Sequence, residues 1–389
     1  MSNATNLRDR APFFTQIRRD IHRHPELGLD TPVTAERVAG LLEDWGYEVH
    51  RGIGGHGVVG VLRKGTGAKT LGIRADMDAL PIHERNGLPW ASQLDGLMHA
   101  CGHDGHTATL LAAAEHLALN VDFNGTLNLI FQPDEEGLMG AKAMIEDGLF
   151  QRFPCESVFA FHNLPGVEVG KAVVQLGGTA ASSERVRITI TGKGGHGAMP
   201  SLTIDPIPAA ASMVMALQTI VARNLSVDEP AVVTIGQLHA GTASNIISQT
   251  AWLELGVRTL DPKTRDRVEQ RIKEIVAGQA AAFNVEVQVE YTLLTPVLVN
   301  TPHETSQMRA AACEALGEDN VLERMPVTAL GSEDFAWMLE QVPGCYFLLG
   351  NGTGMFTGCS PHNDHYDFND DAIPLGAECW TRLVQNVLA

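Results

Sequence analysis

Met98-His99-Ala100-Cys101-Gly102-His103-Asp104-Gly105-His106 packs a thiol, three imidazoles and a carboxylate into nine residues. Two glycines among them let the backbone turn tightly. An apolar, Ala-rich run follows at Thr107–Leu119 and reads as a buried helix. The stretch is therefore expected to be a loop entering a helix N-terminus, where the dipole favours a thiolate. Core packing has no need of so many donors in one turn. Cys101 and His103 are the pair expected to bind metal; the alternative is a polar loop around a structural cysteine.

Outward from this loop, short apolar runs alternate with helical ones. Upstream, Val58–Leu62 and Thr70–Ala75 read as strands, and the second runs into Asp76-Met77-Asp78-Ala79-Leu80-Pro81. Two aspartates at i and i+2 share a side of a continuing strand. One of them, with Asp78 preferred, is expected to orient a metal-bound histidine from behind; the alternative is a solvated turn. Phe13–His24 and Thr34–Trp45 read as helices, the second with Thr34 as N-cap and Gly46 as its end. His22 and His24 read as structural or pocket-lining.

Downstream, the strand Thr126–Phe131 delivers Gln132-Pro133-Asp134-Glu135-Glu136-Gly137. Three acids at the end of a buried strand repel one another unless a cation sits there. One carboxylate on metal and its neighbour free to take a proton from water is a sensible division of labour. The strand Ser157–Phe161 ends in His162, where open α/β sheets build their sites. Near the C-terminus, Glu333 and Asp334 open a helix and read as a cap or as site acids. Cys345–Leu349 is a strand, and the turn Ser360–Tyr366 offers His362 and His365.

Between these parts the pattern changes. Glu184–Thr191, Asp205–Val221, Ala231–Gln237, Thr250–Thr259, Pro262–Phe283 and Val285–Thr292 read β-α-β-β-α-β over roughly 110 residues, a split βαβ ferredoxin-like unit. The chain is thus expected to be α/β, with a discontinuous first domain, 1–182 and 295–389, interrupted by an inserted domain, 183–294. The inserted part offers His196 in a Gly-rich loop, Asn245 in a turn, and Arg258. These suit an oxyanion and a substrate carboxylate, which makes the insert a lid with hinges near Ser182 and Thr295.

Cys101, His103, Glu136, His162 and His362 are far apart in sequence, each at a strand end or turn. Five donors are one more than a single tetrahedral zinc uses, so two ions with a shared ligand are expected. Glu135 is left as the group that takes a proton from water and passes it to a leaving nitrogen. Neither Gly-x-Ser-x-Gly nor His-Glu-x-x-His occurs.

Composition narrows the partners. The chain has 389 residues, too many for one ordinary core. Against 46 Asp and Glu stand 28 Lys and Arg, a formal net charge of −18. That argues against nucleic acid and anionic membranes as partners. Six cysteines without framework spacing fit free thiols in the cytoplasm. The polar Met1–Arg10 has no signal core, and no stretch approaches the roughly 20 apolar residues of a membrane span.

With these residues in view, the chain is similar to the M20 family of metallopeptidases, in the branch of hippurate hydrolases, N-acyl-amino-acid amidohydrolases and plant auxin-conjugate hydrolases. The similarity runs from His22-Arg23-His24-Pro25-Glu26-Leu27 to His362, through Arg74–Pro81, Met98–His106, Gln132–Gly137, Phe161–Pro165, Gly194–Pro200, Gly241–Ile247 and Gly331–Phe335. It implies a zinc-peptidase-like catalytic domain with a mixed sheet flanked by helices, and a ferredoxin-like lid that forms homodimers. It implies Cys101, His103, Glu136, His162 and His362 as ligands of two divalent ions, zinc first, with manganese, nickel or cobalt as alternatives. Glu135 is implied as general base and acid, His196 as the lid histidine at the oxyanion, in cis or from the partner subunit, and Asn245 and Arg258 as substrate-carboxylate contacts. The implied substrate is a small N-acyl amino acid, hippurate-like or N-acetyl. A dipeptidase or carboxypeptidase of the same family, or a metal-dependent binder without catalysis, are the rivals. Two departures stand out: Asp134 occupies a position where the family carries a small residue, and Pro361-His362-Asn363-Asp364 replaces the usual order at the last ligand, leaving His365 as a competitor.

Overall fold

The computed structural model describes residues 6–326 and 330–389; the first residues of the polar stretch Met1–Arg10 lie outside it. The chain forms two compact units. One comprises the chain up to Gly177, the segment from Val299 and everything from Asp334 onward; the other is built on Gly178–Leu298.

The first unit is organised by an eight-stranded mixed sheet. Its order is Glu48–Ile53, Gly57–Lys64, Gly125–Gln132, Thr70–Asp76, Ser157–Pro165, Gly344–Gly352, Ala172–Val173 and Val321–Leu322. The inner strands are apolar almost throughout because both faces are covered. The helix His103–Asn120 packs on the sheet, with Leu7–Arg23 and Ala372–Val387 packed against the helix. Its residues His103–Ala114 are all buried, which explains an Ala-rich stretch without a polar face.

Several helix ends differ from expectation for local reasons. The first helix starts at Leu7, with Pro12 inside it, because the Asn6 side chain caps it by accepting the Arg8 N–H at 3.1 Å. The second starts at Pro32, not Thr34. Its free N–H groups at Val33 and Thr34 donate to the Glu26 carboxylate, both at 2.9 Å, so the cap comes from a preceding loop. The expected Asp205–Val221 helix ends at Leu217 and passes into a π-helical turn at Ile220–Asn224. The strand Glu48–Ile53 and the helices Gly140–Glu146, Pro302–Leu316 and Ala372–Val387 were not anticipated.

The second unit is a four-stranded antiparallel sheet in the order Ala231–Ala240, Thr250–Thr259, Ser183–Thr191, Glu286–Thr295. The helices Pro206–Leu217 and Pro262–Phe283 cover it and bury Val186, Ile188, Ile190, Leu253, Leu255 and Val257. Chain order and strand order together are those of a ferredoxin-like unit, as the β-α-β-β-α-β pattern predicts.

Candidate metal centre

Four strands of the first unit run parallel and bring their carboxyl ends to one edge of the sheet. Such edges are where α/β folds gather functional side chains. Thr70–Asp76 ends at Asp76, two residues before Asp78. Gly125–Gln132 leads into Glu135 and Glu136. Ser157–Pro165 runs past its expected end and carries His162 and Asn163. Gly344–Gly352 precedes the loop that bears His362. The Cys101 loop enters its helix through Gly102, a left-handed residue with φ 101°, so that His103 opens the first turn.

The structure brings all five expected ligand side chains together in two adjoining triads. Cys101, His103 and His162 offer donor atoms within 4.8 Å of one another, and so do Cys101, Glu136 and His362. Cys101 belongs to both. Its sulfur lies 3.3 Å from His162 Nε2, and His362 Nε2 lies 3.2 Å from Glu136 Oε1. The His362 N–H donates to the Ala100 carbonyl at 2.8 Å, which fastens the last ligand loop to the cysteine loop. His365 instead bonds its neighbour Asp364 at 2.6 Å.

His103 and His162 are each oriented from behind. His103 Nδ1 donates to the Asp78 carbonyl at 2.9 Å, with Asp78 Oδ1 at 3.2 Å. His162 Nδ1 donates to the Asn163 carbonyl at 2.7 Å. In the neutral form both rings therefore present an Nε2 lone pair forward. The Asp78 carboxylate also accepts the Glu135 and Glu136 N–H groups at 3.1 and 3.0 Å. Asp76 serves His106, not His103: it accepts from His106 Nδ1 at 2.6 Å and from Arg74 at 2.7 Å. His106 Nε2 meets Asn163 Oδ1 at 2.7 Å, and Asn163 Nδ2 donates to the Tyr366 hydroxyl at 2.6 Å. Both nitrogens of His106 are thus engaged. The Asp334 carboxylate accepts from Gln132 at 2.7 Å, from Arg74 at 3.2 Å and from the Ala141 N–H at 2.9 Å, capping the Gly140–Glu146 helix.

The donor set fits divalent ions on grounds of the structure itself. His103 Nε2 is buried without a hydrogen-bond partner, which costs about 1–3 kcal/mol unless something fills the place. One thiol, imidazoles and a carboxylate converge, a set suited to zinc and its neighbours. Without a cation the charges are badly balanced. Burial, then Glu136, Glu135 and Asp76, push the Cys101 thiol well above its usual range, outweighing the expected pull of the helix end. Burial opposes charge on His103, yet Asp76 and Asp78 lift it to about 10. His162, buried and beside His106, falls to about 3.

The remaining expected residues lie in the second unit. His196 and Ile246 pair across a two-residue ribbon, and the Gly197 N–H donates to the Asn245 carbonyl at 2.8 Å. His196 and Asn245 are thereby neighbours, and both are exposed. Arg258 lies on the Thr250–Thr259 strand and donates to the Ser332 hydroxyl and, at 3.4 Å, to the Leu330 carbonyl. Sequence reasoning missed Asn163, Tyr366 and Gln132. A lone amide or phenol gives no spacing signal.

The chain is similar to known proteins along most of its length. The pattern of Peptidase family M20/M25/M40 matches residues 72–386. A hippurate hydrolase from Campylobacter jejuni is 44% identical over 96% of both chains. An N-acetyl-L-cysteine deacetylase from Bacillus subtilis is 37% identical over 90% of this chain and 83% of its own. Among solved structures, a dinuclear metal-binding peptidase of the M20 family from Bacillus subtilis superposes with a TM-score of 0.86, at 30% identity and covering 97% of this chain and 98% of its own.

Proposed function

The chain belongs to the M20 family of peptidases, and from that premise we propose that it hydrolyses the amide bond of N-acyl amino acids, releasing a carboxylic acid and a free amino acid. The observation that carries this is the pair of triads sharing Cys101, with Glu135 beside them and outside both.

In this reading Cys101, His103, Glu136, His162 and His362 hold two divalent ions, zinc first. When bound, the ions supply Lewis-acid polarisation of the carbonyl and of water. The protein does the rest. Asp78 and the Asn163 carbonyl fix the tautomers of His103 and His162. Glu135 is held by its backbone to Asp78, with its carboxylate 3.8 Å from His103 Nε2. From there it takes the proton of the attacking water and returns it to the leaving nitrogen. His196, Asn245 and Arg258 are assigned to the tetrahedral oxyanion and the substrate carboxylate. The inserted unit, 183–294 in the sequence-based division, then acts as a lid. It exposes Met199, Leu202, Ile207, Met215 and Leu238, which suits contact with a second copy of the chain. Six unpaired cysteines accord with a cytoplasmic location, and no helix among the described residues is long and apolar enough to cross a membrane.

The test is release of glycine from hippurate, and of amino acids from an N-acetyl panel, by zinc-loaded protein. Turnover on these substrates is expected. Hydrolysis confined to dipeptides with a free α-amine would move the assignment to a dipeptidase, and no hydrolysis of any amide would overturn it.

A further inference from the structure

Glu135 and Glu136 ride on a turn whose backbone is held where L residues rarely go. Asp134 has φ 56° and Leu138 φ 57°. Each such residue costs roughly 1–2 kcal/mol unless its surroundings hold it. Backbone bonds close the turn: the Asp134 carbonyl accepts the Gly140 N–H at 3.0 Å, and the Leu138 N–H donates to the Glu135 carbonyl at 2.8 Å. The Asp134 side chain adds a clasp. Its carboxylate lies in a cradle between two glycines. A Cβ on Gly137 would sit 2.2 Å from Asp134 Oδ1, and one on Gly28 would sit 3.2 Å from it. Gly28 belongs to the loop that joins the first two helices, and that loop already grips the Asp78 segment: the Ala79 N–H donates to the Glu26 carbonyl at 2.8 Å, and Leu27 bridges to Ala79. One loop thus braces both the Asp78 segment and the turn that carries the glutamates.

We propose that Asp134 is a positioning residue, whose side chain clasps the turn at Gly137 and Gly28 and so sets Glu136 for metal and Glu135 for proton transfer. The proton-transfer half rests on the hydrolase reading above; the metal half stands without it. Asparagine keeps the size and shape of the side chain and tolerates the left-handed backbone, whereas alanine does neither.

The experiment measures zinc affinity by competition with a chromogenic chelator, together with kcat and KM on hippurate, for the full-length protein and three variants. Asp134→Asn is expected to stay within about threefold of the parent in every parameter. Asp134→Ala is expected to weaken zinc binding and lower kcat, each by roughly 10–100-fold, the loss typical of outer partners of metal ligands, with KM nearly unchanged. Gly137→Ala attacks the same clasp from the other side and is expected to do likewise, with melting curves showing which variants are folded. Parent-like zinc affinity and kcat in folded Asp134→Ala would overturn the proposal. So would a raised KM with unchanged zinc affinity, which would make Asp134 a substrate contact. If the parent turns over no N-acyl amino acid, the hydrolase reading fails, and the zinc affinities still decide the clasp.

Discussion

Glu135 and Glu136 are sequence neighbours with different surroundings, and the roles proposed for them divide accordingly. Glu136 faces Cys101 and His362 in one triad, whereas Glu135 lies beside His103 and outside both Cys101 triads. Glu135→Gln preserves shape and removes the base. It is expected to cut kcat by roughly 10²–10⁴-fold while metal content, measured by elemental analysis, stays at the parent level. A second residue-scale prediction concerns His22. It is buried between Asp104 at 2.8 Å and Glu84 at 3.1 Å. Burial opposes its charge, but Asp104 and Glu84 prevail and lift it to about 9. A pKa raised on folding stabilises fully below the unfolded value of about 6.5 and fades as pH climbs through the folded one. Urea unfolding should therefore show a fall on the order of a few kcal/mol between pH 6.5 and 9, and His22→Gln should flatten that slope. The five expected ligand side chains and Glu135 stood out in the sequence because each is a chemistry-bearing residue at a strand end or in a turn. Asn163 and Tyr366 were not, because their task is to bond His106 and each other, and that pairing exists only after the chain folds.

At the scale of elements, the helix His103–Asn120 shows how a ligand-bearing element is secured at its far end. Lys64, on a neighbouring strand, donates to the Leu117, Ala118 and Val121 carbonyls at 2.9, 2.8 and 2.6 Å. An ammonium there satisfies orphan carbonyls and complements the negative end of the dipole. Lys64→Met keeps the stem and removes the bonds. It is expected to lower stability by about 1–3 kcal/mol, read as a lower urea midpoint with the slope unchanged. Elements with a strong period or a long apolar run, such as Thr250–Thr259 and Pro262–Phe283, were legible to the residue. Those that depend on distant partners were not. Glu48–Ile53 is a half-exposed edge strand that exists by pairing with Gly57–Lys64, and the second helix is capped by Glu26 from outside its own sequence.

For the whole molecule, the first expectation is metal dependence. Prolonged chelation should abolish turnover, and zinc, manganese, cobalt or nickel should restore it to different extents. About two ions per chain should saturate the recovery. Loss of activity without recovery by any divalent ion, in protein that remains folded by circular dichroism, would contradict the reading of the triads. The interrupted first unit has a further consequence. Strand Gly344–Gly352 lies inside the large sheet, between Ser157–Pro165 and Ala172–Val173, and His362 follows it. The stretch Gly178–Leu298 is continuous and holds the core of the second unit, which a short segment ending at Glu333 joins later in the chain. On the ribosome, where chains emerge from the N-terminus at about 5–20 residues per second, that core can be complete while the first unit still lacks an interior strand and the loop of His362. The nascent chain must keep that half-built sheet from pairing with its neighbours, and on the proposed ligand set a metal ion can find all its donors only as translation finishes.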